Sequence, residues 1–226
     1  MLILQLWQQN AHQPIVAIVS ICGIVLGVML ALSVHEFAHA WMANRLGDDT
    51  AKYQGRLTLN PLAHIDPMGL FLFVFAGFGF GKPVPYNPNA LKSDLDEIKI
   101  AIAGPISNLL VALIFALPAR IMTIAGLPTD QSIFLLFLDA IVSLNIILAV
   151  FNIIPIPPLD GSKIVNYFLD HEAREVWERI GPALLLTLVF SNIIFGSSGG
   201  FNLLSRIMDP LLRIANLAIR GAPQIF

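Results

Sequence analysis

The distribution of charged residues constrains the fold of this chain more than any other feature. Met1 to His35 contains no Asp, Glu, Lys or Arg, and Pro14–Val34 within it is almost wholly apolar. Three further stretches without charge follow: Ile100–Ala119, Ala140–Leu159 and Ile180–Ser205. A helix needs about 20 apolar residues to cross the hydrocarbon core of a bilayer, and each stretch meets that length. The pattern therefore predicts an all-α, polytopic membrane protein.

The composition of the chain excludes several other classes. Apolar residues make up 56% of the chain and charged residues 12%, whereas a soluble domain has about 25% charged residues. The net charge of −2 provides no attraction to nucleic acid. Cys22 is the single cysteine of the sequence, so an intrachain disulfide and a cysteine-based zinc site are both excluded.

The segment between the first two predicted spans has a different composition. Met68–Gly81 is apolar but short and rich in glycine, which is typical of a re-entrant hairpin buried in protein. Lys52–Leu59 alternates weakly in polarity and predicts a short strand. Gly81–Pro88 is rich in prolines, which lack an N–H, so this segment is predicted to be an edge strand or an extended loop.

The C-terminal region carries arginines at seven-residue intervals. Arg206, Arg213 and Arg220 share one helical face, which favours a helix lying in the membrane interface, with a further span as the alternative. We predict a single domain over residues 1–226, with a core at about 14–170 and C-terminal helices at about 180–220. The fold class is a bundle of roughly four to six transmembrane helices with a short membrane-associated β-hairpin or re-entrant segment.

The positions of Lys and Arg predict the orientation, because cytoplasmic loops are enriched in both. If the first helix ends near Arg45, nine of these residues fall on one side and only Arg120 falls on the other. The nine are Arg45, Lys52, Arg56, Lys82, Lys92, Lys99, Lys163, Arg174 and Arg179. We therefore expect the N-terminus outside the cell and this side of the protein in the cytosol.

A candidate metal motif lies at the cytosolic end of the first predicted helix. The sequence at positions 35–39 is HEFAH. Residues four apart share one helical face, so His35 and His39 can bind one zinc ion while Glu36 lies beside it as a general base. The motif falls about two to three turns before Arg45, at a depth where ionisable side chains are costly and usually functional. These residues therefore predict a zinc site near the cytosolic membrane surface.

A catalytic zinc site usually takes a third protein ligand. Asp160 is the best candidate, because the prolines at 155–158 break the preceding helix and Gly161 permits a tight turn. Asp160 could instead only cap the next helix. His64 is also possible, but it lies in a proline-flanked stretch that suits a loop or a supporting role.

Together, the two regions resemble the site-2 protease family of intramembrane zinc metalloproteases, in its compact bacterial form. The family pattern is HExxH followed by NxxPxPxxDG, and both parts are complete here, the second as NIIPIPPLDG at 152–161. The boxes RLTLNPLAHIDPMG, GKPVPYNP and AGPISN extend the resemblance over residues 18–163. No insertion of PDZ size separates the two motifs.

The resemblance implies a role for each matched residue. His35, His39 and Asp160 would bind one zinc ion per chain, and Glu36 would act as general base and then as general acid. Asn152 would stabilise the oxyanion, although an intramembrane Asn can also simply bond across helices. For Asn108, in the AGPISN box, we prefer that structural interpretation.

The implied activity is the hydrolysis of peptide bonds within or next to the transmembrane segments of single-span proteins. The expected surroundings are the lipid bilayer of a prokaryotic plasma membrane, and no nucleic-acid partner is expected. Gly81–Pro88 would pair with an unwound substrate or cover the site. A zinc transporter or a non-proteolytic zinc-binding membrane protein is the alternative.

Overall fold

The computed structural model describes residues 12–69, 71, 79–127, 133–195 and 203–221, with the backbone alone at 192–195. Within these residues the structure is helical apart from turns and extended loops. The α-helices are α1 (Pro14–Arg45), α2 (Thr50–Tyr53), α3 (Asp94–Ile124), α4 (Ile133–Ile153), α5 (Ser162–Asn166), α6 (His171–Phe195) and α7 (Leu203–Arg220). Short 3-10 turns lie at Pro61–Ala63 and Pro88–Ala90.

Three of these helices form the centre of the molecule. Among the described residues, α1, α3 and α4 are long and apolar enough to cross a membrane, as predicted for the first three charge-free stretches. Each of the three packs against the other two, and fully buried alanines such as Ala40 and Ala112 let the backbones approach closely. The fourth stretch, Ile180–Ser205, falls partly outside the described residues, so the total number of spans stays a prediction.

The strand predicted at Lys52–Leu59 is wrong. Thr50–Tyr53 forms the helical turn α2, because Asp48 Oδ1 accepts hydrogen bonds from both the backbone N–H and the hydroxyl of Thr50, at 2.9 and 2.5 Å. Such local side-chain bonds favour a turn over a strand. The described residues contain no regular strand, and their single antiparallel bridge joins Ile65 to Gly81. The predicted re-entrant hairpin at Met68–Gly81 lies largely outside the described residues.

Helix α7 runs antiparallel to α4. Leu204, near its start, packs in a cluster with Ile154 just beyond the C-terminal end of α4. Ile219, near its end, packs against Val142 in the N-terminal half of α4. This packing places α7 along a candidate span, but α7 is not itself among the described helices that are long and apolar enough to cross a membrane. The choice between an interfacial helix and a further span therefore stays a prediction.

Two arginines connect the C-terminal end of α7 to α3 and α4. Arg220 forms an ion pair of 2.9 Å with Asp139 on α4. Arg120 on α3 donates to the backbone carbonyls of Ala218 and Ile219. Asp139 is therefore paired with Arg220, whereas Arg120 bonds to the backbone of α7.

Candidate metal centre

Two helices and one turn bring three candidate ligand atoms together. His35 and His39 lie one helical turn apart on α1, and their Nε2 atoms are 3.0 Å from each other. Asp160 follows α4, and its Oδ2 atom lies 3.1 Å from His35 Nε2 and 3.3 Å from His39 Nε2. Both histidines are buried, and Asp160 is half-buried. Among the described residues, these three form the one group of His, Cys, Asp or Glu side chains that could hold a metal ion.

The turn that carries Asp160 is fixed by the residues around it. The prolines at 155–158 prevent α4 from continuing, and the backbone N–H of Gly161 donates to the carbonyl of Asn152 at 2.8 Å. A Cβ at position 161 would clash with the carbonyl oxygen of Ile153, so the turn can close only with glycine. The turn thereby places Asp160 beside the C-terminal end of α4, where it faces the two histidines of α1.

The ring of His35 is oriented by an asparagine on α3. His35 Nδ1 lies 2.7 Å from Asn108 Oδ1. The amide nitrogen of Asn108 donates to the carbonyl of Ala31 and to Asn145 Oδ1, both at 2.9 Å. These two bonds fix which end of the amide is oxygen, so His35 Nδ1 must be the donor in its bond to Asn108. The hydrogen of neutral His35 is therefore on Nδ1, and its Nε2 lone pair faces the site.

The ring of His39 is oriented by the backbone. Its Nδ1 lies 2.7 Å from the carbonyl oxygen of Ile100, which can only accept. The hydrogen of neutral His39 is therefore also on Nδ1, and its Nε2 also presents a lone pair. Partners of this kind fix the tautomer and orientation of histidines that bind metals.

The three atoms fit a zinc ion. Two Nε2 lone pairs converge on Asp160 Oδ2, a buried oxygen with no hydrogen-bond donor in the described part of the chain. Three acceptors so close together repel one another unless a cation lies between them. Ligand atoms at about 2.0–2.1 Å from a tetrahedral zinc ion are about 3.3 Å apart, close to the spacings of 3.0 to 3.3 Å seen here. Nitrogen and oxygen ligands without sulfur are also typical of catalytic zinc.

Gly104 on α3 provides the space for both rings. A Cβ at this position would lie 2.5 Å from His39 Nε2 and 2.6 Å from His35 Cε1. Helix α3 therefore approaches the two imidazoles directly at this position. Any larger residue would push the rings away from Asp160.

Glu36 lies beneath an extended loop. Its side chain is buried, and its Oε2 accepts a hydrogen bond of 3.1 Å from the backbone N–H of Val84. Val84 belongs to the proline-rich segment that was predicted to be an edge strand or an extended loop. Beyond the bridge at Gly81, residues 82–87 have no regular secondary structure, so the segment is an extended loop, and it contacts the predicted general base.

Asn152 and His64, which were also named from the sequence, do not contact the three candidate ligand atoms in the described hydrogen bonds. Asn152 donates through its side-chain amide to the carbonyl of Leu148, one turn earlier, at 3.0 Å. Its predicted role at the oxyanion stays a prediction. His64 is fully buried and bonds to the carbonyl of Thr58 through Nε2, with Arg56 facing Nδ1. His64 is therefore not part of the ligand cluster, whose third atom belongs to Asp160.

Sequence reasoning missed the contribution of Asn108 and Asn145 to the site. Both are fully buried, and together with His35 they form a continuous polar chain across α4, α3 and α1. Two amides in otherwise apolar helices are a visible signal, because buried polar groups need partners. The sequence alone gave no indication that the partner was a candidate metal ligand.

The fold and the site together define a class of protein. It is a helical membrane protein whose HExxH motif on one helix is completed by an aspartate from a proline-rich turn. The sequence model described as peptidase family M50 matches residues 119–188, a range that contains the whole of NIIPIPPLDG.

Comparison with curated proteins supports the same class. The chain is 42% identical over 152 residues to "Putative zinc metalloprotease YwhC" of Bacillus subtilis (strain 168), covering 63% of this chain and 67% of that protein. It is 30% identical over 179 residues to the Rip2 protein of the same description from Mycobacterium tuberculosis (strain ATCC 25618 / H37Rv), covering 76% and 66%. The Rip2 protein of Mycolicibacterium smegmatis is 30% identical over 156 residues, covering 67% and 59%. No solved structure matches the chain.

The chain therefore belongs to peptidase family M50, the site-2 protease family. These relatives carry the name "putative zinc metalloprotease", and the chain spans roughly 59 to 67% of their length.

Proposed function

We propose that this chain is an intramembrane zinc endopeptidase that hydrolyses peptide bonds within or next to the transmembrane segments of single-span membrane proteins. The observation that carries the proposal is the convergence of His35, His39 and Asp160 on one point within the bundle of candidate spans. His35 precedes Arg45, the last residue of α1, by ten positions, or about 15 Å of helix. A site at that depth would meet peptide bonds of a membrane-embedded substrate.

The chemistry follows from the side chains at the site. Zinc held by His35, His39 and Asp160 would supply Lewis-acid activation of water and of the scissile carbonyl. Glu36 would take a proton from the attacking water as the new C–O bond forms, and it would return the proton to the leaving nitrogen as the C–N bond breaks. The Asn152 amide would donate a hydrogen bond to the carbonyl oxygen as negative charge develops there.

The location proposed for the protein is the plasma membrane of a prokaryote, with the site near the cytosolic face. The C-terminal ends of α1 and α4 and the N-terminal half of α3 meet at the ligand cluster. The same end of the bundle carries Arg45, Lys99 and Lys163, whereas Arg120 and Arg220 lie at the opposite end. This distribution supports a cytosolic site under the positive-inside rule.

A pair of variants tests the proposal. Glu36→Gln keeps the size and hydrogen bonding of the side chain but removes the base, and Glu172→Gln changes an exposed carboxylate on α6 as the matched control. The probe is a synthetic peptide with about 20 apolar residues, a central Gly-Gly pair and a fluorophore–quencher pair, reconstituted with the protein in liposomes. The measurements are cleavage and bound zinc.

We expect the wild type and Glu172→Gln to cleave the peptide equally. Glu36→Gln should keep its zinc and cleave at least about a hundredfold more slowly, the low end for losing general acid–base catalysis. Cleavage by Glu36→Gln at the wild-type rate would overturn the mechanism. A wild type that binds zinc and leaves the peptide intact would favour the non-proteolytic alternative.

A further inference from the structure

The extended loop at 81–87 is held in place by backbone hydrogen bonds at three points. The N–H of Lys82 donates to the carbonyl of His64 at 2.7 Å, and the N–H of Asn87 donates to Asp48 Oδ2 at 2.6 Å. Between these two anchors, the N–H of Val84 donates to Glu36 Oε2 at 3.1 Å. The middle anchor thus connects the loop directly to the proposed general base.

Arg56 holds the loop immediately before this middle anchor. Its guanidinium donates to the carbonyl of Pro83 at 3.0 Å and to the carbonyl of Lys82 at 2.5 Å. Only 6% of Arg56 is exposed, so water cannot easily replace these bonds. A planar guanidinium can bind two consecutive carbonyls in a way that a lysine ammonium cannot. The two carbonyls belong to the two residues that precede Val84.

The imidazole of His64 lies next to the guanidinium of Arg56. Because its Nε2 faces the carbonyl of Thr58 at 2.8 Å, Nε2 carries the hydrogen and Nδ1 is an acceptor. Nδ1 faces the Arg56 guanidinium at 3.4 Å. Burial lowers the pKa of Arg56, and the negative charge of Glu36 acts in the opposite direction. Arg56 is thus a buried cation that lies in the field of the proposed general base.

We propose that Arg56 is a positioning residue for peptide hydrolysis. By holding the carbonyls of Lys82 and Pro83, it keeps the Val84 N–H on Glu36 Oε2. That bond fixes the orientation of the carboxylate and leaves Oε1 for proton transfer. The proposal rests on the proposed function of Glu36, and the hydrogen bonds that link Arg56 to Glu36 run through the loop. An active-site group displaced by about 1 Å can lose about a hundredfold in rate.

Two substitutions break the arrangement at different points. Arg56→Ala removes the clamp, and Val84→Pro removes the N–H that reaches Glu36 while leaving Arg56 in place. Arg45→Ala is the matched control. Arg45 is an exposed arginine at the same end of the bundle, where it stacks on Trp41, and no hydrogen bond joins it to the loop among the described residues. Arg56→Lys is the conservative variant.

The measurements are bound zinc, kcat and KM on the liposome peptide, and hydrogen–deuterium exchange of residues 81–87 in the zinc-loaded protein. Arg56→Ala should keep its zinc and lower kcat about a hundredfold, with KM unchanged and with loss of amide protection in the loop. Val84→Pro should lower kcat to a similar extent. The double variant should be no slower than either single variant, because both changes remove the same interaction. Arg56→Lys should recover part of the rate, and Arg45→Ala should match the wild type.

Several results would overturn the proposal. Full protection of the loop in Arg56→Ala would show that the arginine does not hold it. Lost protection with wild-type kcat would show that the loop does not position Glu36. A raised KM with unchanged kcat would indicate a role in substrate binding instead. Additive losses in the double variant would separate Arg56 from Val84.

The failure of the proposed function would look different. If Glu36→Gln cleaved the peptide at the wild-type rate, Glu36 would not be the base, whatever the behaviour of Arg56. Hydrogen exchange would still decide whether Arg56 clamps the loop, because that measurement needs no cleavage. Wild-type activity in Arg56→Ala beside an inactive Glu36→Gln would refute the positioning role alone.

Discussion

At the scale of single residues, the metal centre depends on atoms that do not face the metal. The Nδ1 atom of each histidine is bound to an oxygen acceptor, Asn108 Oδ1 for His35 and the Ile100 carbonyl for His39. These bonds fix both rings with Nε2 towards Asp160. The Asn108 acceptor is itself fixed by Asn145 on α4, so the ligand geometry depends on the packing of three helices.

Removing the Asn108 acceptor should weaken metal binding. Asn108→Leu frees His35 to rotate or change tautomer, and loss of such a partner typically lowers metal affinity by about 10- to 100-fold. Zinc affinity is measured by competition with a chelator. The control is Asn216→Leu, because Asn216 is equally buried but bonds to Leu212 on α7, away from the ligands. Equal affinities in the two variants would contradict the orienting role of Asn108.

At the scale of elements, the sequence predicted those features whose cause is local. The long charge-free runs determine α1, α3 and α4, and the prolines and glycine around Asp160 determine the break after α4. The strand prediction at Lys52–Leu59 failed because polarity alternation there is weak and Asp48 bonds to Thr50. Asn108 could not be assigned to the site, because the sequence does not show which face of α3 meets His35.

The contact between α3 and the histidines gives a test at this scale. Gly104→Ala places a Cβ 2.5 Å from His39 Nε2, so the imidazole must move and zinc occupancy should fall. The control is Gly23→Ala on α1, where the new Cβ would meet Ala140 Cβ at 3.1 Å and needs only a small adjustment. Metal analysis of both purified proteins checks this expectation. Full zinc occupancy in Gly104→Ala would show that the rings do not need the space at position 104.

Asp48 connects α2 to the end of the extended loop, and its contribution to the stability of the folded protein should depend on pH. Burial raises its pKa, but hydrogen bonds from Thr50 and Asn87 outweigh this effect, and the pKa is below its ordinary value. The ionised carboxylate therefore stabilises the folded protein above the unfolded pKa of about 3.9. That stability is lost as the pH falls through the lower pKa of the folded state.

The corresponding variant is Asp48→Asn, measured by thermal unfolding in detergent between pH 7 and pH 3. We expect a lower Tm than that of the wild type at pH 7 and a difference that shrinks below about pH 4. Asp94→Asn changes an exposed carboxylate and should have a smaller effect. A difference for Asp48→Asn that stays constant down to pH 3 would exclude the carboxylate as its source.

At the scale of the whole molecule, the site lies at one end of a bundle whose two ends differ in their number of lysines and arginines. Lys92, just before α3, is exposed at the site end, and Ile124, the last residue of α3, is 85% exposed at the other. The lysine and arginine distribution predicts that the site end is cytosolic. The two residues therefore form a matched pair for accessibility labelling.

In a Cys22→Ser background, Lys92→Cys and Ile124→Cys are labelled in intact cells with a membrane-impermeant maleimide. We expect Ile124→Cys to react from outside and Lys92→Cys to react only after the membrane is permeabilised. The reverse pattern would invert the orientation and place the metal centre near the external face.

The most direct test of the metal centre is zinc X-ray absorption spectroscopy on the purified protein, compared with Asp160→Ala and His64→Gln. The wild type should hold about one zinc per chain, with two imidazole nitrogens and oxygen ligands at about 2.0–2.1 Å and no sulfur near about 2.3 Å. Asp160→Ala should lose zinc or one oxygen ligand, and His64→Gln should leave the spectrum unchanged. Three imidazoles in the wild type, or an unchanged spectrum in Asp160→Ala, would contradict the assignment of His35, His39 and Asp160 as the zinc ligands.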